Sequence, residues 1–149
     1  MVKQAWIAVL MVASAYAPAQ SASLIGDWQE PEGSVIRIQR CGNDFCMKLQ
    51  ALRRNPPATT DIHNSNVSLR TRSLCGLQIG SGFHMDDATH ASGGVLYDPR
   101  SGFTYHGKMA LEGDELKLRG YIGTPLLGRT ETWRRVQPND APCMPAPSK

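Results

Sequence analysis

The stretch from Phe103 to Ile122 constrains the fold more than any other, because it reads as one β-hairpin. A two-residue turn at Gly113-Asp114 sets a single register for its two arms. One face then pairs Leu111 with Leu116, Met109 with Leu118, Gly107 with Gly120 and Tyr105 with Ile122. The other face pairs Ala110 with Lys117, Lys108 with Arg119 and His106 with Tyr121. This alternation predicts a sheet that covers a core on one side only.

Short strand patterns, mostly separated by tight turns, continue along the rest of the chain. They read as LIGDWQE at 24–30, SVIRIQRC, FCMKLQAL, LCGLQIGSGF at 74–83, GGVLYDPRSGFTY and RTETWRRV. In the DPRSG hairpin, Leu96 and Tyr105 are expected to share the inner face. The sequence thus predicts an all-β fold, an eight-stranded antiparallel meander that closes into a barrel, because closure removes exposed strand edges. A two-sheet β-sandwich is the alternative.

The two ends of the chain differ from this pattern. Lys3, the apolar run from Ala5 to Ala13 and the small residues near Ala19 are typical of a signal peptide over 1–19. Cleavage is expected after Ala19 or Ala22, which makes the protein periplasmic or secreted.

The domain organisation follows from these boundaries. We expect a barrel domain over 23–136 and a proline-rich tail over 137–149. The basic residues are scattered and the net charge is +3, so nothing in their distribution supports a nucleic-acid partner. No membrane-spanning segment is expected, because the apolar run of the leader is too short and no other segment approaches the ~20 residues needed.

Four cysteines in an exported chain favour disulfides. A turn at Asn43-Asp44 would pair Ile38 with Leu49, Ile36 with Ala51 and Cys41 with Cys46. A Cys41–Cys46 bond leaves Cys75–Cys143 by elimination, although Cys143 could instead bridge two chains.

Four phrases of the chain resemble a known family. They are GDWQEPEGSVIRIQRCGNDFC, DIHNSNVSLRTRSLCGL, GGVLYDPRSGFTY and LKLRGYIGTPLLGRTETWRRV, and they resemble the bacterial domain-of-unknown-function family 2147 over residues 26–136. The resemblance implies an exported, lipocalin-like (calycin) barrel and no established activity.

Within that resemblance, Gly26 and Trp28 are similar to the G-x-W signature of calycins, in which the tryptophan packs against an arginine of the last strand. Arg134 and Arg135 are the candidates for that arginine.

Two polar segments offer candidate sites. His84, Asp86, Asp87 and His90 in HMDDATH could ligate a metal, but a solvated loop over 84–93 is the favoured interpretation and no metal is predicted. In the long loop 53–73, Asp61, His63, Arg70 and Arg72 could line the rim of a pocket. The favoured interpretation is that Asp61 and the arginines pin the loop to the barrel.

Nothing in the chain predicts catalysis or a cofactor, since Gly80-Ser81-Gly82 lacks the spacing of a nucleophile elbow. The first hypothesis is therefore a non-enzymatic barrel that binds a small apolar or amphipathic molecule. Its cavity is expected near the glycine pair, lined by Tyr105, Gly107, Met109, Leu118, Gly120 and Ile122. Otherwise Trp133 or a residue of the first strand fills that gap. The alternative is an envelope interaction protein with a solid core, whose loops 53–73 and 84–93 contact another macromolecule.

Overall fold

The computed structural model describes residues 23–138 and Cys143, so the expected leader and most of the tail lie outside the described residues. Within the described part, eight antiparallel strands follow one another around a closed barrel, which confirms the predicted meander barrel. The strands are β1 (Gly26–Gln29), β2 (Val35–Cys41), β3 (Asp44–Ala51), β4 (Gln78–Met85), β5 (His90–Asp98), β6 (Phe103–Glu112), β7 (Glu115–Tyr121) and β8 (Arg129–Val136).

The connections alternate between the two ends of the barrel, because each strand runs antiparallel to the one before it. We call one end the open end; it carries the connections 30–34, 52–77, 99–102 and 122–128. The closed end carries the connections 42–43, 86–89 and 113–114, none longer than four residues. All of the long connections thus lie together at the open end.

The register predicted for the β6–β7 hairpin is confirmed from Leu111–Leu116 to His106–Tyr121. The predicted Tyr105–Ile122 pair is wrong. Strand β7 ends at Tyr121, and Ile122 is 64% exposed in the following loop. Tyr105 instead pairs with Leu96 on the other side of β6, as the inner-face prediction for these two residues requires.

The predicted β2–β3 register is wrong by two residues. Ile38 lies opposite Met47 rather than Leu49, and the turn occupies Gly42-Asn43. Gly42 has φ +69° whereas Asn43 has no positive φ, a combination typical of a type II′ hairpin turn, whose first central residue needs positive φ. A slip of two residues keeps every side chain on its predicted face, since the strand repeat is two.

Both predicted disulfides are present, Cys41–Cys46 and Cys75–Cys143. The first does not need direct cross-strand pairing: Cys41 lies opposite Asp44, and Cys46 opposite Gln39. The second joins the long loop before β4 to the chain beyond β8 within the same molecule.

Two predicted loop boundaries are wrong. Most of the expected loop 84–93 is strand, because β4 runs to Met85 and β5 begins at His90. Residues 74–77, expected to open the fourth strand, instead end the long connection 52–77. That connection contains one 3-10 turn, Val67–Leu69, and a bridge between Thr60 and Ser73.

The closed end is organised around Trp28, which is fully buried. Its Nε1 donates to the carbonyl of Leu24 at 2.9 Å, and the Arg135 guanidinium lies 4.1 Å from the centre of its ring. Arg135 also donates to the carbonyl oxygens of Ser23 and Ile25. Gly26 has φ +146°, and a Cβ there would stand 2.6 Å from the Arg135 Nη1 atom. This arrangement explains the G-x-W spacing: the glycine makes room for the arginine that covers the tryptophan.

Arg134, the other candidate for this role, is exposed and pairs with Glu115 across β7–β8.

The closed half of the barrel is filled by apolar side chains. Phe83 is completely buried among them, and an added Cβ on Gly107 would stand 2.7 Å from its Cζ atom. Gly94, the cross-strand partner of Gly107, is covered by the same ring. The filling side chains are Trp28, Ile38, Phe45, Met47, Phe83, Ala91, Met109, Leu111 and Leu116.

In residues 23–138 no helix is long and apolar enough to cross a membrane.

Candidate functional site

The open half of the barrel encloses a cavity of about 830 Å³ that reaches solvent between the long connections. Its floor is apolar, and the mouth above it carries charged side chains. Clefts of about 300–1,000 Å³ with apolar walls and a few polar groups are typical of small-molecule sites. The floor is formed by Ile36, Leu49, Leu74, Ile79, Leu96, Leu118 and Trp133.

Four of the six residues predicted to line a cavity do so: Tyr105, Leu118, Gly120 and Ile122. The other two, Gly107 and Met109, lie below the floor and do not line it. The predicted gap over Gly107 is therefore absent. It is filled by Phe83 and Leu96 rather than by Trp133 or a residue of the first strand, and the cavity lies one layer nearer the open end.

Arg100 spans the mouth of the cavity. It belongs to the β5–β6 turn, which lies four strands around the barrel from the β1–β2 turn, and its Nη1 donates to Glu32 of that turn at 2.9 Å. Its Nε donates to Asp98 at 3.0 Å and its Nη2 to Glu131 of β8 at 3.3 Å. The Arg100 and Glu32 side chains are about half exposed, so solvent screens this ion pair.

Strand β8 brings both apolar and charged groups to the cavity. Trp133 is buried in the floor, and its Nε1 donates to the carboxylate of Glu131 at 3.0 Å. Glu131 lies opposite Leu118, and Arg129 lies opposite Gly120 at the start of the strand. The inner face of this one strand thus runs from indole to carboxylate to guanidinium towards the mouth.

The rim residues predicted in the long loop have different positions. His63 lines the cavity, as expected of a rim residue, whereas Asp61, Arg70 and Arg72 do not. Asp61 is completely buried and accepts hydrogen bonds from the Tyr97 hydroxyl at 2.5 Å and from the Arg72 Nε at 2.9 Å.

Asn64 completes this network. Its Nδ2 donates to Asp61 at 2.8 Å and to the Tyr97 hydroxyl at 3.0 Å, and Arg70 donates to its carbonyl at 2.8 Å. The loop is thereby pinned to β5, which agrees with the interpretation favoured from the sequence.

The network also changes the acid–base behaviour of its members. Burial alone would raise the pKa of Asp61, but hydrogen bonds from Tyr97, Asn64 and Arg72 outweigh it and lower that pKa. Burial and the bond to Asp61 raise the pKa of Tyr97. The pair is thus held as a carboxylate and a neutral phenol, the states required for the hydroxyl to donate.

Three exposed apolar side chains form a lip beside the mouth, in the β7–β8 connection. Ile122, Leu126 and Leu127 are 64%, 90% and 80% exposed, and Ile122 and Leu127 line the cavity. Arg119 holds this connection by donating to the carbonyl of Pro125 at 2.7 Å.

The HMDDATH residues form two separate pairs at the closed end. The Nε2 atom of His84 lies 3.5 Å from Oδ1 of Asp86, and the Nδ1 atom of His90 lies 2.9 Å from Oδ1 of Asp87. The backbone amide of Thr89 and the His90 ring lower the pKa of Asp87 to about 2. No group of three or more potential ligands occurs in the described part of the chain.

The sequence interpretation missed Phe83, Arg100 and the polar part of β8. The period-two alternation of RTETWRRV could have placed Arg129 and Glu131 on the same face as Trp133. No comparable signal marks Arg100, because its contacts join turns that are far apart in the sequence.

The fold has a relative of known structure. Over 78% of this chain and 84% of its own length, it is similar to protein HP1028 from the human pathogen Helicobacter pylori, described as belonging to the lipocalin family, with a TM-score of 0.72 and 24% sequence identity. This likeness shows a shared barrel fold. None of the curated proteins matches the chain. A family model matches residues 26–135. The chain therefore belongs to the family described as uncharacterized proteins conserved in bacteria, DUF2147.

Proposed function

We propose that this protein binds a small apolar or amphipathic molecule in the open half of its barrel and catalyses no reaction on it. The observation that carries the proposal is the cavity of about 830 Å³ with an apolar floor and a charged mouth. The floor offers hydrocarbon and indole surface, which holds a ligand by the hydrophobic effect but supplies no reacting group. The barrels of lipocalins typically hold one small ligand.

We also propose that the protein acts outside the cytoplasm. The expected leader over 1–19 and the two disulfides support export, because disulfides persist in oxidising compartments.

The alternative function, an interaction protein with a solid core, finds less support. Its two contact loops lie at opposite ends of the barrel: residues 52–77 at the open end and 86–89 at the closed end. One partner could not easily reach both, and the core is filled only in the closed half.

A cavity-filling variant tests the proposal. Gly120 faces the cavity, and an added Cβ there would make ordinary contacts, 3.6 Å from the Tyr105 Cβ and 3.8 Å from a Leu96 methyl. Gly120→Leu should therefore fold and occupy part of the cavity. Lys108→Leu adds the same side chain to the exposed outer face of β6 and serves as the matched control.

The measurement is a fluorescence titration with Nile red, a neutral apolar dye. We expect saturable binding of one dye per chain to the wild-type protein and to Lys108→Leu, and a loss of about tenfold or more in affinity for Gly120→Leu. Absence of saturable binding, or equal affinities in all three proteins, would contradict the proposed function.

A further inference from the structure

We propose that the ligand carries an anionic head group, a carboxylate or a phosphate monoester, that Arg129 binds at the mouth of the cavity. This assignment rests on the proposed function, because it names the ligand class of the same cavity. Three observations carry it: the position of Arg129, the pairing of the nearby carboxylates, and the lack of a partner for Arg129 itself.

Arg129 stands directly over the cavity. It begins β8, shares the inner face of that strand with Glu131 and Trp133, and lines the mouth. Its cross-strand partner is Gly120, which has no side chain to occupy the space opposite it. The guanidinium therefore lies beyond Glu131 along this strand, among the polar groups that a molecule lying on the apolar floor meets as it extends towards solvent.

Each of the four carboxylates that line the cavity already accepts hydrogen bonds. Glu30 accepts from the backbone amides of Glu32 and Ser34, each at 2.8 Å. The carboxylates of Glu32, Asp98 and Glu131 are all bound by Arg100. A cationic ligand would therefore have to share three of these carboxylates with the Arg100 guanidinium.

Arg129 differs from these carboxylates in its hydrogen bonding. Within residues 23–138 its side chain forms no hydrogen bond and no ion pair. An uncharged ligand that reached the mouth would remove water from this guanidinium without replacing it, which costs free energy. An anionic head would replace that water with charge-assisted bonds, and the planar fork of arginine matches carboxylate and phosphate oxygens.

The apolar part of the ligand is expected to be short, because the closed half of the barrel is filled up to Phe83 and Leu96. Ten-carbon amphiphiles with different heads therefore make a matched series. We would compare decanoate, decyl phosphate, decan-1-ol and decyltrimethylammonium by displacement of Nile red, each below its micelle concentration.

Decanoate or decyl phosphate should bind about tenfold more tightly than decan-1-ol, and decyltrimethylammonium should bind least. Tighter binding of decanoate identifies a fatty-acid head, and tighter binding of decyl phosphate identifies the phosphate of a lipid fragment. Either result supports the assignment.

Three variants locate the effect. Arg129→Gln should abolish the preference for the anion over the alcohol, because the charge that pairs with the anion is gone. Arg129→Lys should retain part of the preference, because it keeps the charge and loses the fork. Arg134→Gln removes a charge from the exposed outer face of β8 instead, and this variant should retain the whole preference for the anion.

The two proposals fail in different ways. Equal affinities for decanoate and decan-1-ol, or an anion preference that survives in Arg129→Gln, would overturn the assignment of the head group and leave the proposed function intact. If neither the amphiphiles nor Nile red bound, both proposals would be overturned.

Discussion

The ring of Phe83 lies against Gly107, with its Cζ atom 2.7 Å from the place where a Cβ on that glycine would stand. This contact marks the level at which the barrel changes from filled to open. Below it lie the buried side chains of the closed half, and above it lies the cavity. Leu96 lies at the boundary between the two halves, since it contacts the Gly107 position and also lines the cavity.

The facing glycines Gly107 and Gly120 should therefore respond differently to the same substitution. Gly107→Ala crowds Phe83 and Leu96 and should lower the free energy of unfolding by about 1–3 kcal/mol. Gly120→Ala meets its neighbours at ordinary distances and should change it by less than about 1 kcal/mol. Urea unfolding of the two variants makes the comparison, and equal losses would mean that Phe83 does not fill the space over Gly107.

Arg100 should control how fast a ligand enters and leaves. Because its ion pairs bridge opposite sides of the mouth, Arg100→Ala is expected to raise both the association and the dissociation rate of Nile red. The free energy of unfolding should fall by no more than about 1 kcal/mol, since these pairs are half-exposed.

Stopped-flow fluorescence measures both rates, with Arg54→Ala, an exposed arginine of the long loop, as the control. Salt screens ion pairs, so raising the salt concentration should bring the wild-type rates towards those of Arg100→Ala. If the rates changed with neither the substitution nor the salt concentration, Arg100 would not control ligand entry and release.

Arg135 and Arg134 are neighbours in β8, but their side chains should contribute differently to stability. Arg135→Ala removes the stack on Trp28 and the bonds to the carbonyls of Ser23 and Ile25, and should cost about 2 kcal/mol of stability. Arg134→Ala, on the exposed outer face, should change stability by about 0.5 kcal/mol or less. Thermal unfolding of both variants measures the two losses of stability. A larger loss in Arg134→Ala than in Arg135→Ala would contradict the assignment of Arg135 as the arginine that covers Trp28.

Asp61 should make the stability depend on pH below about 4. Its pKa in the folded protein is lowered from the ordinary 3.8, so its contribution is complete above that value and is lost as the pH falls through the lowered pKa. Asp61→Asn should destabilise the protein by about 2 kcal/mol at pH 7, and the difference from wild type should shrink at acid pH.

Asp114→Asn changes an exposed turn residue and is the control for this experiment. Urea unfolding at several pH values measures the effect. A difference between Asp61→Asn and wild type that is independent of pH would show that the Asp61 charge is not what pins the loop.

The sequence predicts this fold best where a turn and an alternation agree. At Gly113-Asp114 both point to one register, and that register is found. In the β2–β3 hairpin the alternation cannot distinguish two registers that differ by two residues, because the same side chains stay on the same face. Gly42-Asn43 and Asn43-Asp44 are both suited to a two-residue turn, and the structure uses the first, with Gly42 at the position that needs positive φ.

The location of the cavity is less predictable for a different reason. It depends on which side chain crosses the barrel to cover Gly107, and Phe83 does so from a strand that is more than twenty residues away. The stagger of eight strands in a closed barrel decides such contacts, and no local pattern reports it. The role of Asp61 was easier to predict, because a long loop must satisfy its buried polar groups.

The central claim is that a ligand occupies the open half of the barrel, and methyl NMR of the labelled protein tests it most directly. On titration with decanoate, we expect shift changes at the floor methyls of Ile36, Leu49 and Leu118, with much smaller changes at Ile38 and Met47 in the filled half. The changes should saturate at one ligand per chain. Changes confined to exposed side chains such as Leu126, or no saturable change at the floor, would contradict the account.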